Sequence, residues 1–313
     1  MSPSRRRWRA SRPRRTDLAA KRFPFDVFAE QTRPALEVTL AQALPPPAER
    51  SPAFSRGIQE AVLSPGKRLR PLVALAAGEL TRAPAAAAMA VGVAVEFLHA
   101  ASLVLDDLPS MDNAQRRRGR PALHVTCGVA TAELVAVALV ARAFESVSQA
   151  PRMSAATRVR VTGELARAVG AEGCCAGQVA DLSANPRDLG LEDLESIHAR
   201  KTGALFVAAV RGGAMAGGAR ERALEALTLF ARNLGLAFQI TDDLLDLEGD
   251  AERMGKDTQR DAHRANFATL FGVAASRQLV EELLRAAVAA LSPFGSRGAV
   301  LADLARVVRD RRS

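Results

Sequence analysis

Two aspartate clusters stand far apart in this chain of 313 residues. They consist of Asp106, Asp107 and Asp112, and of Asp242, Asp243 and Asp246. Carboxylate oxygens suit Mg²⁺, which usually bridges one or two carboxylates to the phosphates of a ligand rather than sitting in an all-protein cage. The clusters therefore predict a magnesium site that receives a phosphorylated molecule.

The second cluster places like charges on one helix face. Asp242 and Asp246 are four residues apart, so their carboxylates repel one another within a helix unless a cation lies between them. Residues 234–240, which precede the cluster, are mostly apolar and indicate a buried helix that ends at a cavity. An acidic surface turn is the alternative for this cluster taken alone.

The first cluster lies where an apolar helix must end. Pro109 disfavours helical geometry at the residue before it, so the helix stops close to the aspartates. Asp106 and Asp107 then lie at the negative end of the helix dipole, where carboxylates are unfavourable without a compensating cation. This placement favours a metal site over a solvated turn.

Helices must position both clusters. Apolar periodicity, proline and glycine predict helices over residues 25–44, 51–63, 70–78, 85–107, 130–147, 155–171, 191–218, 220–247, 262–291 and 299–309. A break is expected at Pro34, and a charged loop over residues 108–120. No long segment alternates with period two, so no sheet is predicted. The expected fold is all-α, with a single domain over residues 23–313.

A basic tail carries nearly all of the net charge of +9. Residues 1–22 hold nine Lys and Arg residues and one acidic residue, with few large apolar side chains. This composition predicts a disordered segment without the apolar stretch of a secretory signal peptide. The remainder of the chain is close to neutral, which argues against a nucleic-acid groove.

The three cysteines predict neither a disulfide framework nor a zinc site. Cys174 and Cys175 are adjacent, and Cys127 has one candidate co-ligand, His124, three residues before it. A reducing cytoplasm is therefore the expected compartment.

The apolar stretch over residues 83–105 has the length of a membrane span. It contains Glu96 and His99, and much of its apolar character is alanine. We therefore expect a buried core helix and no stable membrane insertion.

Further short motifs accompany the aspartate clusters. They are Gly66-Lys67-Arg68-Leu69-Arg70-Pro71, His99 within the run at 96–102, Arg117-Arg118-Gly119-Arg120-Pro121, Gly177-Gln178, Lys201-Thr202-Gly203, Phe238-Gln239 and Gly255-Lys256-Asp257. In this order they resemble the trans-type polyprenyl diphosphate synthases over nearly the whole chain from about residue 25. The four residues between Asp107 and Asp112 match the longer first motif of bacterial and plant geranylgeranyl diphosphate synthases. Residues 136–139 resemble the bacterial enzymes of carotenoid biosynthesis.

The resemblance implies the isoprenoid synthase fold, in which helices surround a deep central cavity, usually as a homodimer. It implies that the six aspartates bind three Mg²⁺, directly or through water, against the diphosphate of an allylic substrate. Three cations would complete that site: Arg117, Lys201 and Lys256. The diphosphate of isopentenyl diphosphate would be held by Lys67, Arg70, His99 and Arg118. The Lys201 carbonyl, Thr202 and Gln239 would direct oxygen dipoles at a carbocation.

The implied reaction is prenyl transfer to isopentenyl diphosphate from dimethylallyl, geranyl or farnesyl diphosphate. Cleavage of the allylic carbon–oxygen bond leaves a carbocation, and groups that stabilise the departing diphosphate accelerate this step. The double bond of isopentenyl diphosphate then attacks the cation in an apolar cavity that excludes water.

Two positions depart from the family pattern. Arg264-Ala265-Asn266 stand where many relatives carry Lys-x-Thr, and Ala114-Gln115 replace an acidic pair that is common in relatives. Arginine keeps the charge but not the compact ammonium group, which weakens the prediction for the positioning of that loop.

The residues before Asp106 bear on product length. Ala101 and Ser102, about one turn earlier, are expected to line the channel of the growing chain. Family members that stop early often carry an aromatic ring there, so two small residues imply elongation to geranylgeranyl diphosphate. Phe97 and Phe144 are candidates for the floor of the channel. Close helix packing is the alternative reason for the small residues.

Other functions are weaker hypotheses. A farnesyl or longer-chain synthase would share every motif above. A non-catalytic modulating subunit of a heteromeric synthase is disfavoured because both aspartate clusters are intact. A terpene cyclase would lack the site for isopentenyl diphosphate, so Lys67, Arg70 and His99 argue against it.

Overall fold

The computed structural model describes residues 23–185, 189–248 and 266–311. The predicted basic tail lies outside these residues. The helices are α1 (Pro24–Gln42), α2 (Pro52–Leu63), α3 (Leu69–Leu80), α4 (Ala85–Asp106), α5 (Leu123–Cys127), α6 (Val129–Ser148), α7 (Ala155–Val169), α8 (Cys174–Ser183), α9 (Leu191–His198), α10 (Ala204–Ala216), α11 (Glu221–Glu248), α12 (Phe267–Phe271), α13 (Val273–Ala290) and α14 (Ala299–Arg309). This arrangement confirms the all-α prediction.

The centre of the molecule is α4. It packs against α3, α6 and α10, and residues such as Val91, Phe97 and Leu98 are almost fully buried. Although α4 is long and apolar enough to cross a membrane, 67% of its most apolar window is buried inside the protein. Burial on nearly all sides explains why this helix lacks a polar face. The packed helix ends at Asp106, which sets the position of the first cluster.

The second cluster lies near the end of α11, which packs against α10 and α13. Between α9 and α10, residues Ala199–Gly203 form a π-helical turn. The sequence predicted one uninterrupted helix over residues 191–218, which is wrong at this turn. Single π turns are often found at functional sites, and this one carries Lys201 and Thr202.

Other differences from the predicted elements have local causes. Pro34 lies inside α1 on its exposed side, where water can serve the carbonyl that the proline ring leaves unbonded. Gly272, with φ of +84°, separates α12 from α13. The predicted residues 262–265 lie outside the described part of the chain. The sequence did not predict α8.

A small hairpin interrupts the predicted charged loop. Strands β1 (Arg116–Arg117) and β2 (Arg120–Pro121) pair antiparallel. The two connecting residues, Arg118 and Gly119, both have positive φ, +51° and +76°, as two-residue hairpin turns require. The prediction of no sheet is therefore wrong for this one pair, which is too short to show an alternating pattern.

Candidate active site

The first aspartate cluster is anchored by the hairpin. Asp107 is 4% exposed and accepts hydrogen bonds from Arg117, whose Nε lies 3.0 and 3.1 Å from the two carboxylate oxygens. The Nη2 of Arg117 contacts the same carboxylate. This two-oxygen geometry fixes both the carboxylate and the guanidinium plane.

Asp106 lies in an unfavourable electrostatic environment. Burial, with the neighbouring charges of Asp112 and Asp107, raises its pKa to about 6, while Lys201 and Arg117 act in the opposite direction. A cation placed against this carboxyl would relieve the cost of its charged form. Because the charge of Lys201 acts on this carboxyl, the end of α4 lies within electrostatic reach of the π turn.

Lys201 is held by a residue of α8. Its Nζ lies 2.6 Å from Oδ2 of Asp181. Gly177, one turn earlier on α8, packs so closely on the π turn that a Cβ there would lie 2.3 Å from the backbone nitrogen of Lys201. Only glycine permits this approach, which explains the Gly177-Gln178 motif.

A chain of hydrogen bonds joins the π turn to the second cluster. Thr202 Oγ1 donates to Gln239 Oε1 at 2.8 Å, and Gln239 Nε2 donates to Asp243 Oδ1 at 3.0 Å. Asp243 is 6% exposed, and its Oδ2 accepts from the backbone N–H of Phe267 at 3.2 Å. Both oxygens of Asp243 are therefore engaged by protein donors.

Asp242 faces the C-terminal end of the chain. Its Oδ1 lies 2.7 Å from Nη1 of Arg311, whose guanidinium carbon lies 4.1 Å from the centre of the Phe238 ring. Arg311 and Asp242 both act on Lys67, whose pKa is lowered by partial burial and by Arg311. The Gly66–Pro71 motif and the second cluster are thus neighbours.

Arg70 and His99 form a contact pair inside the site. Arg70 Nη1 lies 3.3 Å from His99 Nε2, and the guanidinium carbon lies 5.1 Å from the centre of the Phe206 ring. Burial and the charge of Arg70 hold the pKa of His99 well below its ordinary value. His99 is therefore neutral at pH 7, and its Nε2 accepts from Arg70 because a guanidinium only donates.

Arg118 is exposed and points back to the loop before α3. Its Nη1 donates to the carbonyl of Pro65 at 3.1 Å. It also borders a cavity of about 250 Å³ beside α4, which is lined in part by Ala100, Leu103 and Asp107.

The residues proposed for product length differ in their surroundings. Ser102 is half-buried and lies four residues before Asp106, on the same face of α4. Ala101 is 2% exposed, and Phe97, four residues earlier on its face, is fully buried. Phe144 is half-buried on α6.

Comparison with known proteins decides the family. The polyprenyl synthetase family matches residues 51–292, most of the folded chain. The chain belongs to the polyprenyl synthetase family.

Individual relatives agree with this assignment. Geranylgeranyl pyrophosphate synthase 12 of Arabidopsis thaliana is 39% identical over 283 residues, covering 88% of this chain and 79% of that protein. An FPP/GFPP synthase from Zymomonas mobilis is similar in structure, with a TM-score of 0.81, 33% identity, and coverage of 91% of this chain and 98% of that one. This polyprenyl synthetase is therefore a prenyltransferase with the all-α isoprenoid synthase fold.

The magnesium question can be tested on the donor set of this polyprenyl synthetase. A geranyltransferase from Helicobacter pylori, complexed with magnesium and isoprenyl diphosphate, has a TM-score of 0.80, 27% identity, and coverage of 92% of this chain and 96% of that one. Among the described residues of this chain, no three potential ligand side chains converge into a ready metal cage. Mg²⁺ usually bridges one or two carboxylates to phosphate oxygens and does not need such a cage, and the buried Asp106, whose pKa is raised to about 6, is a carboxyl that a cation would stabilise, so the residues fit.

Two predicted site residues fall outside what the structure describes. Lys256 lies outside the described residues, and for Asp246 only the helical backbone is described. Their roles stay predictions.

Several residues around the site were not selected from the sequence. Asp181 binds Lys201, Arg311 binds Asp242, and Cys174 lies within electrostatic reach of Arg70 and Asp106. Burial raises the pKa of the Cys174 thiol to about 11, so the thiol is uncharged. The spacing of Asp181, four residues after Gly177, was an available signal, whereas nothing in the sequence pairs Arg311 with Asp242.

Proposed function

We propose that this prenyltransferase condenses isopentenyl diphosphate with dimethylallyl, geranyl and farnesyl diphosphate and releases geranylgeranyl diphosphate. The observation that carries the proposal is that the π turn links the first aspartate cluster, at the end of α4, to the second cluster, near the end of α11. Asp106 at the end of α4 lies within electrostatic reach of Lys201, and Thr202 of the same π turn is hydrogen-bonded through Gln239 to Asp243. Acids and bases so arranged suit a metal-bound diphosphate better than any uncharged ligand.

The six aspartates divide by their contacts. Asp106, Asp112 and Asp242 would hold Mg²⁺, and Asp242 would then exchange or share its ion pair with Arg311. Asp107 and Asp243 are engaged by Arg117 and Gln239, so they orient these groups and would hold Mg²⁺ directly or through water. Asp246 completes the second cluster, and three ions are expected with substrate bound. When bound, Mg²⁺ neutralises negative charge that develops on the departing diphosphate.

The basic residues form two groups, one for each diphosphate. Arg117, Lys201 and Lys256 bind the allylic diphosphate beside the aspartates. Lys67, Arg70 and Arg118 bind isopentenyl diphosphate, with neutral His99 as a hydrogen-bonding partner rather than a charge. Lys201 must exchange Asp181 for the diphosphate, or share it, when the substrate enters.

The groups that face the reacting carbon are polar but uncharged. Thr202 and Gln239 are already oriented by their mutual hydrogen bond, so their dipoles need little reorganisation when a carbocation forms. Phe206 and Phe238 contribute apolar surface that excludes water, and the released diphosphate takes the proton lost from isopentenyl diphosphate.

Product length follows from the small residues on α4. Ser102 faces the side of Asp106, Ala101 is buried beside it, and Phe97 lies one turn deeper. The floor set by Phe97 or Phe144 then permits a twenty-carbon chain. Incubation with labelled isopentenyl diphosphate and each allylic diphosphate, followed by chromatography of the dephosphorylated products, tests this assignment. A main product of fifteen carbons, or of thirty or more, would reject it and leave the reaction class standing.

A second copy of the chain is the expected partner. Leu134 and Val137 of α6 are 61% and 64% exposed, and Ala130 and Ala141 lie on the same exposed face. Apolar residues at spacings of four, three and four match a helix-to-helix contact. Light scattering of the purified protein in solution should give twice the chain mass, and Val137→Asp should lower it. The expected compartment is a reducing cytoplasm, and the resemblance of residues 136–139 to the bacterial enzymes of carotenoid biosynthesis supports a role for the product in that class of pathway.

A further inference from the structure

Among the described cations around the proposed site, Arg68 has the least solvent-exposed surface, and it stands between exposed Lys67 and half-buried Arg70. Only 4% of Arg68 is exposed, so its side chain enters the protein while Lys67 stays at the surface. It therefore cannot approach a substrate as its two neighbours can. Its partners are instead two glutamates from other helices.

Arg68 ties three helices together. Its Nη1 lies 2.5 Å from Oε1 of Glu96 on α4. Its Nε and Nη2 lie 2.9 and 3.2 Å from the two carboxylate oxygens of Glu37 on α1. The Arg68 carbonyl accepts the backbone N–H of Leu72, at the start of α3. One residue thus fixes the start of α3 relative to α1 and α4.

The backbone at Arg68 is held in an unusual conformation. Its φ of +52° and ψ of +33° are left-handed helical values, which residues with a Cβ adopt only where their surroundings impose them. The ion pairs with Glu37 and Glu96 contribute to that constraint. Released from them, the loop would relax to ordinary backbone angles and change the direction in which Lys67 and Arg70 project.

Two further arginines hold the same loop. Arg33 Nη1 donates to the carbonyl of Gly66 at 3.3 Å, and Arg118 Nη1 donates to the carbonyl of Pro65 at 3.1 Å. Glu96 lies beneath this group of cations and also acts on the charges of Arg70 and Arg118. A buried anion at this place offsets the mutual repulsion of the cations before any diphosphate arrives.

We infer that Arg68 is a positioning residue for isopentenyl diphosphate: its ion pairs with Glu37 and Glu96 set the loop so that Lys67 and Arg70 meet the diphosphate. This inference rests on the proposed function, since it requires Lys67 and Arg70 to bind that substrate. Arg68 itself touches no substrate. Its loss should therefore affect binding at one of the two diphosphate sites and leave the chemistry at the other unchanged.

The principal variants are Glu37→Gln and Arg68→Lys. Glu37 is partly exposed, so Glu37→Gln weakens the outer ion pair without leaving a buried charge alone. Arg68→Lys keeps the charge but loses the planar fork of donors that contacts Glu37 and Glu96 at the same time. We expect the KM for isopentenyl diphosphate to rise about threefold in Glu37→Gln and about tenfold or more in Arg68→Lys, with kcat and the KM for the allylic substrate changed less than about twofold.

Arg211 provides a matched control. It also joins three helices, through Glu164 of α7 at 2.7 Å and Thr228 of α11 at 2.8 Å, but it contacts none of the loop residues named above. Arg211→Lys should lower the melting temperature without changing either KM. If Arg68→Lys behaved in the same way, its role would be structural only and the inference would be wrong.

Lys67→Ala separates this inference from the proposed function. It should raise the KM for isopentenyl diphosphate, and the combination with Arg68→Lys should raise it by less than the product of the single effects, because Arg68 acts through Lys67. A normal KM in Lys67→Ala would reject the proposed substrate site. A raised KM in Lys67→Ala with normal values in Glu37→Gln and Arg68→Lys would reject the positioning role alone.

Hydrogen exchange gives a readout without turnover. The backbone amides of residues 64 and 66–70 should exchange at least about threefold faster in Glu37→Gln than in the unchanged protein, whereas Arg211→Lys should leave them unaltered. Equal exchange in Glu37→Gln and the unchanged protein would overturn the inference, because the ion pair would then not constrain the loop.

Discussion

Arg311 places a guanidinium nitrogen 2.7 Å from the carboxylate of Asp242, the first residue of the second aspartate cluster. The arginine also packs 4.1 Å from the centre of the Phe238 ring, so it is held by both charge and stacking. A protein cation therefore lies where the proposed function requires a metal ion. Binding of that metal must displace Arg311 or share Asp242 with it.

Arg311→Gln should bind divalent metal more tightly. Removal of the competing cation should lower the dissociation constant for Mn²⁺, measured by electron paramagnetic resonance without substrate, about twofold to fivefold, since partly exposed ion pairs contribute roughly 0.4–1 kcal/mol. The control is Arg309→Gln, at the end of α14, which breaks a surface ion pair with Glu281 of α13. Equal Mn²⁺ affinity in all three proteins would show that Arg311 does not compete for Asp242.

Gly177→Ala should disable the π turn. The added methyl group would lie 2.3 Å from the backbone nitrogen of Lys201, so α8 or the turn must move, and Lys201 and Thr202 with it. A displacement of about 1 Å lowers turnover by roughly tenfold to a hundredfold. The measurement is kcat at saturating substrates, together with circular dichroism to verify folding.

Gly163→Ala is the matched control for that variant. On α7 the new methyl group meets only Arg167, at 3.7 Å, so stability should rise by about 0.5–1 kcal/mol and kcat should not change. Unchanged turnover in Gly177→Ala would mean that the close approach of α8 does not position Lys201.

His198 should make the fold sensitive to acid. Burial lowers its pKa to about 4, against about 6.5 in the unfolded chain, so between these values the unfolded state binds more protons than the native state. The stabilising contribution of neutral His198 to the free energy of unfolding is therefore fully present above about pH 6.5 and declines below that pH. His198→Asn should reduce the slope between pH 6 and pH 5 by about 1 kcal/mol per pH unit. Urea unfolding at several pH values measures this slope. An unchanged slope in His198→Asn would mean that the pKa of His198 is not lowered in the folded protein, because a hydrogen-bond acceptor stabilises its charged form.

Ala101→Phe should shorten the product. A ring at this buried position, or at Ser102 on the face of Asp106, would close the channel that the proposal runs along α4. The control is Val159→Phe, which adds the same ring at a position of α7 that is 72% exposed. If Ala101→Phe and Ser102→Phe are both active and make products of normal length, the channel passes elsewhere.

The sequence predicted the helical class and the ends of α4 and α11 because proline, glycine and apolar periodicity act locally. It could not predict the π turn, since Lys201 is placed there by contact with Gly177 of another helix. It identified Lys67 and Arg70 as binding residues. It did not predict that the side chain of Arg68 turns into the protein, because that orientation depends on Glu37 and Glu96, which are distant in sequence. Such pairings arise from tertiary packing and leave no local pattern.

The central claim is that the two aspartate clusters act together on an allylic diphosphate. Elongation of dimethylallyl, geranyl or farnesyl diphosphate with labelled isopentenyl diphosphate and Mg²⁺ tests it most directly. The assay compares the unchanged protein with Asp106→Ala, Asp242→Ala and a control, Asp193→Ala, which removes an exposed aspartate of α9. We expect elongation in the unchanged protein and in Asp193→Ala, and turnover at least about a hundredfold lower in the other two. No elongated product from the unchanged protein, or near-normal rates in both cluster variants, would contradict the account.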